Sequence, residues 1–135
     1  MTAAIIGLFS GIAVILIVAL LKGFDKNLVY GLILSGIGFI YVGFTWSDPA
    51  ALTINSLQAI LFLFIAYFGL KWNIYILIAG YFLHGIWDLV YYQVGNTGLI
   101  PPRYDLFCSI LDFTVGLFLL YMKYRSDAGK KAANI

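Results

Sequence analysis

The residues best suited to chemistry in this chain lie in its C-terminal half. His84 and Asp88 are four residues apart, and Cys108 and Asp112 repeat that spacing further along the chain. On an α-helix this spacing places both side chains on one face, one turn apart. Imidazole, thiolate and carboxylate groups in such pairs are suited to general acid–base chemistry or to binding a metal ion such as zinc.

Other polar and aromatic residues share these helix faces. Asp105, Cys108, Ser109 and Asp112 form one stripe at the helical period. We take His84, Asp88 and Asp112 as the candidate catalytic residues, and the same three with Cys108 as the candidate metal ligands. The candidate pocket-lining residues are Asn55, Gln58, Tyr81, Trp87, Tyr91, Asp105 and Ser109.

The composition places these polar residues in a very apolar chain. Of 135 residues, 63% are hydrophobic and only 10% are charged, whereas soluble domains have about 25% charged residues. A water-soluble fold could not bury so much apolar surface, so we predict an integral membrane protein. The net charge of +2 is too small to indicate nucleic acid as a partner, and one cysteine excludes an internal disulfide.

Hydrophobic segments separated by short polar turns predict an all-α bundle of about five transmembrane helices. The segments are long enough to span a bilayer, and the longest connection is the Gly-, Asn- and Pro-rich stretch 93–103. We expect one membrane domain over residues 1–124 and a polar cytoplasmic tail over 125–135. The predicted helices cover about residues 3–21, 28–46, 50–70, 74–92 and 104–122.

The positive charges predict the orientation of the bundle. Short cytoplasmic loops are enriched in lysine and arginine. With five spans, only Arg103 lies on the side of the 93–103 connection, and the other seven basic residues lie on the opposite side. We therefore expect a cytoplasmic C-terminus, an external N-terminus and an external 93–103 connection.

The fourth and fifth helices are joined by one connection, so they run antiparallel and their residues can be compared in depth. His84 and Asp112 lie level, roughly 12 Å below the external surface, and Asp88 and Cys108 lie level at roughly 6 Å. We expect each pair to come within direct or one-water hydrogen-bond reach. Polar residues of helices two and three lie in the same external half, so the pocket should open outward: Tyr41, Thr45, Asn55 and Gln58.

Most of these residues also have a structural explanation. A lone intramembrane histidine can simply bond a neighbouring carboxylate or carbonyl, and Asp105 is typical of an acid that stabilises a helix start. Cys108 is typical of a small buried hydrophobe. Asp112 has the weakest structural explanation, because a buried carboxylate without a donor or a proton is unfavourable. The interface aromatics are Trp46, Trp72, Tyr91, Tyr92 and Tyr104.

A resemblance to a known family adds to this interpretation. The chain resembles domain-of-unknown-function family 6010, a bacterial family of small multi-pass membrane proteins, and the resemblance is most specific from about Trp72 to Gly116. The resemblance implies a fold and a bacterial inner membrane, and it implies no activity. The segments that carry it are Leu83-His84-Gly85-Ile86-Trp87-Asp88, Gly95-Asn96, Ile100-Pro101 and Cys108-Ser109-Ile110-Leu111-Asp112.

Three classes of function remain open. In the first, the pocket binds a lipophilic ligand or a divalent metal and carries out acid–base chemistry. The second is a proton-coupled carrier or ion relay, although the chain has no inverted repeat or proline-broken helix. The third is an accessory subunit that binds its partner through small-residue helix faces such as Gly7 and Gly11. We favour the alternative, in which these faces pack against other helices of the same bundle. Membrane lipids are the expected partners, with a homo-oligomer as an open alternative.

Overall fold

The computed structural model describes residues 1–135 and contains five long α-helices and no strand. Each helix is long and apolar enough to cross a membrane. The predicted all-α transmembrane bundle is thereby confirmed. The helices are α1 (Thr2–Leu20), α2 (Lys26–Thr45), α3 (Pro49–Lys71), α4 (Ile74–Val94) and α5 (Tyr104–Ala133), with a short 3-10 turn at Thr97–Leu99.

Side-chain caps begin three of the helices after short turns. Asp25 accepts the backbone N–H of Asn27 at 2.9 Å at the start of α2, and Asp48 accepts that of Ala50 at 3.0 Å at the start of α3. Asn73 caps α4 in the same way. These caps satisfy backbone donors that have no partner within the helix, so the chain can reverse within a few residues.

The fifth helix does not end near Lys123, where the apolar segment stops, but continues to Ala133. Lys123 and Asp127 form a salt bridge of 2.8 Å one turn apart, and the Tyr75 hydroxyl donates to Asp127 at 3.0 Å. Lys130 and Lys131 in the last turn interact favourably with the helix dipole. The polar segment 125–133 is therefore helical, because local charge pairing extends the helix beyond the hydrophobic stretch. The division into a membrane domain and a cytoplasmic tail stays a prediction.

The helices pack largely in chain order. α2 packs on α3, α3 on α4 and α4 on α5, and α1 packs mainly on α5, with a small contact to α2. The apolar core includes Leu34, Phe62, Leu77 and Val115. Large apolar side chains such as Phe9 and Leu57 remain exposed on the outer surface, as expected for a protein surrounded by lipid.

Two glycines explain how closely α1 approaches α5. A Cβ atom at Gly7 would lie 2.5 Å from the Phe107 carbonyl oxygen, and one at Gly11 would lie 2.9 Å from Thr114 Cβ. Small residues allow helix backbones to come this close in membranes. The Gly7 and Gly11 pair therefore packs against α5 of the same chain, which is the alternative that the sequence analysis favoured.

Candidate functional site

His84, Asp88 and Asp112 form one fully buried cluster, which we call the His–Asp–Asp group. The His84 Nδ1 atom lies 2.7 Å from Asp112 Oδ2, across the α4–α5 contact. The same nitrogen lies 3.6 Å from Asp88 Oδ2, one turn along α4. All three side chains have 0% exposure. The predicted approach of His84 to Asp112 is therefore confirmed as a direct contact.

Several atoms of the His–Asp–Asp group have no hydrogen-bond partner within the protein. They are His84 Nε2, both Asp88 carboxylate oxygens and Asp112 Oδ1. If Asp112 is ionised, it can only accept, and the proton of the pair then lies on His84 Nδ1. When Nδ1 is the protonated nitrogen of a neutral imidazole, Nε2 has a free lone pair. The group thus combines an oriented imidazole with unused acceptor atoms in a site shielded from water.

Close packing of α4 against α5 sets this geometry. A Cβ atom at Gly85 would lie 2.8 Å from the Phe113 ring and 3.2 Å from the Ser109 carbonyl oxygen. The Phe62 ring of α3 packs edge-on against the His84 ring, with centroids 4.7 Å apart. The imidazole is therefore held by a carboxylate at one edge and by an apolar ring at its side.

A second polar network links α2, α3 and α4. Asn55 donates from Nδ2 to the Tyr91 hydroxyl at 3.0 Å and to Thr45 Oγ1 at 3.3 Å. Gln58 donates from Nε2 to the Gly38 carbonyl at 2.6 Å. Both residues are buried, and the carbonyl oxygens of their side-chain amides have no partner. These bonds fix α3 against its two neighbours at the level of the site.

An open cleft of about 420 Å³ lies at the end of the bundle that holds the α4–α5 connection. Tyr41 and Tyr91 lie at the cleft, and their rings meet edge-on with centroids 5.2 Å apart. Both tyrosines are buried, and the Tyr41 hydroxyl has no hydrogen-bond partner. Arg103 and Asp105 also line the cleft. The tyrosine rings therefore lie between the cleft and the interior of the bundle.

A model of one protein family matches this sequence. It is described as "Family of unknown function (DUF6010)" and matches residues 2–126, which include all five apolar segments and the His–Asp–Asp group. The chain belongs to this family. No curated protein and no solved structure matches it. The family assignment confirms the resemblance noted from the α4–α5 motif.

The DUF6010 chain does not bring all of its predicted site residues together. Cys108 is buried, but no hydrogen bond joins it to Asp88, and its sulfur lies outside the cluster of candidate metal ligands. Asp88 lies beside His84 of its own helix instead. The Asp88–Cys108 pair, predicted within direct or one-water reach, therefore forms no direct hydrogen bond, because equal depth on two helices does not fix where each side chain points. The one-water alternative stays a prediction.

The predicted lining residues separate into different places. Asp105 and Tyr91 lie at the cleft, whereas Gln58 and Trp87 line an apolar groove between α3 and α4. Ser109 is buried in the α5 face beside Asp112. Tyr81 belongs to the apolar core. Its hydroxyl donates to the Tyr30 carbonyl at 2.7 Å and so is satisfied within that core. These residues therefore lie in several places rather than around one of the two described cavities.

Two contributions to the site carried little signal in the sequence. Phe62 looks like any lipid-facing or core aromatic, yet it packs on His84. Tyr91 was expected both at the pocket and in the interface belt, and it is 2% exposed and bonded to Asn55. Its spacing of seven residues from His84 places both on one helix face, and this signal favoured the inward position.

The donor set of the His–Asp–Asp group is compatible with a divalent metal. One imidazole nitrogen and two carboxylate oxygens, one from each residue, lie within 4.8 Å of one another. Zinc commonly binds three such protein ligands when it keeps an open position. The residues therefore fit a metal ion, with Cys108 excluded from the ligand set that the geometry brings together.

Proposed function

We propose that this protein is a membrane-embedded binding protein whose His–Asp–Asp group exchanges a proton with a lipophilic ligand. The observation that carries the proposal is the 2.7 Å contact between fully buried His84 Nδ1 and Asp112, which leaves Nε2 without a partner. An imidazole oriented through one nitrogen by a carboxylate is suited to act as a base through the other.

In this proposal each residue has a separate role. His84 Nε2 accepts a proton from the ligand, and Asp112 keeps the imidazole in the required tautomer through Nδ1. The resulting imidazolium lies next to two carboxylates, since Asp88 is 3.6 Å from Nδ1. Low solvent exposure strengthens these charge interactions. Asp88 therefore acts as a positioning residue that stabilises the charged imidazole.

A divalent metal at the same residues is the second candidate. It is favoured by the three ligand atoms that lie within 4.8 Å of one another and by the carboxylate oxygens left without partners. A metal would balance the two carboxylate charges and could polarise an oxygen of the ligand. Under this alternative, His84, Asp88 and Asp112 are all ligands and none of them is free to act as a base.

The test uses the fact that His84 is the only histidine in the chain. Protein labelled with ¹⁵N-histidine and purified without a polyhistidine tag gives one pair of imidazole signals. We expect a protonated Nδ1 and an unprotonated Nε2 in the metal-free protein. A proton on Nε2 with a bare Nδ1 would contradict the proposal, because Nδ1 could not then donate to Asp112.

Titration with Zn²⁺ separates the two candidates. If the site is a metal centre, one equivalent should shift a His84 signal, and EDTA should reverse the shift. The His84→Gln and Asp112→Asn variants should then lose the bound ion in metal analysis. If the site works without metal, the His84 signals should not respond to one equivalent of Zn²⁺.

We also propose that the cleft faces the external side of the cell membrane. The charge distribution supports this orientation, because only Arg103 of the eight basic residues lies at that end. A Thr97→Cys variant in the Cys108→Ser background should react with an impermeant thiol reagent in intact cells. Reaction only after permeabilisation would reverse the assignment.

A further inference from the structure

A second depression lies on the lipid-facing side of the bundle, between α3 and α4. We call it the lateral groove. It has a volume of about 240 Å³, and seven of its eight lining residues are hydrophobic. It lies on membrane-spanning segments of both helices. Its lining residues are Gln58, Leu61, Phe62, Ile65, Leu83, Ile86, Trp87 and Val90.

Two of the residues that line the lateral groove carry a buried polar atom without a partner. Gln58 is 4% exposed, and its Nε2 is used by the Gly38 carbonyl while its Oε1 is unpaired. Trp87 Nε1 is also buried and unpaired. Oε1 can only accept and Nε1 can only donate. A buried polar group without a partner costs free energy, so a ligand hydroxyl that reached these two atoms from the otherwise apolar groove would remove that cost.

The lateral groove also adjoins the His–Asp–Asp group. Phe62 lines the groove and packs against the His84 ring at 4.7 Å. A single aromatic side chain thus contacts both the groove and the imidazole. The groove opens towards acyl chains, whereas the cleft at the bundle end is lined largely by polar residues and tyrosines.

We propose that the lateral groove binds the hydrocarbon chain of a lipid that carries a hydroxyl group, with the hydroxyl at Gln58 Oε1 and Trp87 Nε1. A hydroxyl supplies both a donor for Oε1 and an acceptor for Nε1. The apolar lining matches the chain, and the ligand enters laterally from the bilayer. This inference rests on the proposed function, because it names the substrate class that would reach His84.

The test measures quenching of Trp87 fluorescence. The double variant Trp46→Phe, Trp72→Phe leaves Trp87 as the only tryptophan, and both replaced residues are exposed. In lipid nanodiscs it is titrated with 2-bromoundecan-1-ol and with 2-bromoundecane, which differ only in the hydroxyl group and carry the bromine next to the end that would lie at Trp87. We expect saturable quenching by the alcohol at about tenfold lower concentration than by the alkane, the effect of about one hydrogen bond.

Variants in the same background locate the binding. Gln58→Leu should remove the preference for the alcohol. Because Gln58 also holds Gly38, a second variant, Leu61→Phe, fills the groove without changing a hydrogen bond and should weaken quenching by both probes. Leu57→Ala is the matched control, since Leu57 is 65% exposed on the same helix and lies outside the groove.

Equal quenching by alcohol and alkane, or quenching that rises linearly in every variant, would overturn the inference, because both indicate partition into lipid. The His84→Gln variant distinguishes this failure from failure of the proposed function. Saturable alcohol binding should persist in that variant, because His84 does not line the groove. An unexpected His84 tautomer combined with normal alcohol binding would reject the proposed function alone.

Discussion

The two faces of α5 form very different contacts. On one face, Gly7 and Gly11 of α1 pack against the backbone and side chains of α5, and no hydrogen bond joins the side chains of the two helices. On the other face, His84 of α4 meets Asp112 at 2.7 Å, and both side chains are fully buried. The first contact is close van der Waals packing at glycines, and the second includes a buried hydrogen bond between polar side chains.

The α1–α5 contact therefore serves mainly to hold the bundle together, whereas the α4–α5 contact carries the residues suited to chemistry. Close backbone packing stabilises helix association in lipid without requiring any particular polar group. Burying two carboxylates beside one imidazole is costly unless the charges are balanced. The α1–α5 contact should therefore determine stability, and the α4–α5 contact should determine the state of His84. Three substitutions test that division, and a fourth tests a polar contact outside the bundle.

The largest expected effect is that of Gly7→Ala on stability. The added methyl group would lie 2.5 Å from the Phe107 carbonyl oxygen, and a backbone atom cannot turn away. We expect a loss of about 1–3 kcal/mol, measured by detergent melting. Gly36→Ala is the matched control, since nothing lies within 4 Å of its added Cβ. Equal melting of the two variants would contradict the role of the α1–α5 contact.

The second prediction concerns Asp112→Asn. The amide keeps the shape of the carboxylate but removes its charge, and charge-assisted hydrogen bonds are roughly twice as strong as neutral ones. The ratio of the two His84 tautomers should fall about tenfold, as measured by ¹⁵N-histidine spectra, with little change in melting. Ser109→Ala, on the same buried face of α5, should leave the spectrum unchanged. A wild-type spectrum in Asp112→Asn would show that Asp112 does not determine the tautomer of His84.

Gly85→Ala should give a smaller effect that involves both properties. Its added Cβ would meet the Phe113 ring at 2.8 Å, and a ring can shift more easily than a carbonyl. We expect a loss of stability of about 1 kcal/mol, below that of Gly7→Ala. Because Gly85 neighbours His84, the His84 signals should also move. A stability loss without any spectral change would show that the packing of α4 on α5 and the state of His84 are independent.

The smallest effect is expected at Asp48, outside the membrane-spanning segments. The Asn96 amide donates to Asp48 at 3.0 Å, and this bond, with the N–H groups of Ala50 and Ala51, lowers the pKa of Asp48 below its usual 3.8. A lowered folded-state pKa stabilises the protein above about pH 3.8, and the contribution disappears as pH falls through the folded value.

The Asp48→Ala variant should therefore melt a few degrees lower than the wild type at pH 6. That difference should shrink below pH 3.8, the usual pKa of the group. Melting curves in detergent at several pH values provide the measurement. A difference between the two proteins that grows on acidification would have the wrong sign for a carboxylate stabilised by hydrogen bonds.

Much of the fold follows from the sequence, because hydrophobic length and polar turns are local properties. The starts of α3 and α4 lie within about one residue of the predicted positions, because Asp48 and Asn73 are residues typical of helix N-caps. The end of α5 was wrong by about ten residues. The pairing of Lys123 with Asp127, which extends the helix, is a polar signal that hydropathy does not detect.

The site was predictable only as far as depth along antiparallel helices determines contacts. His84 and Asp112 are level and face each other, so the prediction succeeded. Asp88 and Cys108 are also level, but the Asp88 carboxylate lies beside His84 of its own helix. The lateral groove beside Trp87 could not be predicted either, because its existence depends on how far apart α3 and α4 lie.

The length of α5 has a mechanical consequence. Its 30 residues span about 45 Å, whereas the hydrocarbon core of a bilayer is about 30 Å thick. One continuous helix therefore contains Asp112 in its apolar part and extends beyond that part to Ala133. A tilt of α5 about its contact with α4 would displace its C-terminal end at Ala133 further than it displaces Asp112. A spectroscopic label near Ala133 would report such movements of α5 without touching the buried residues.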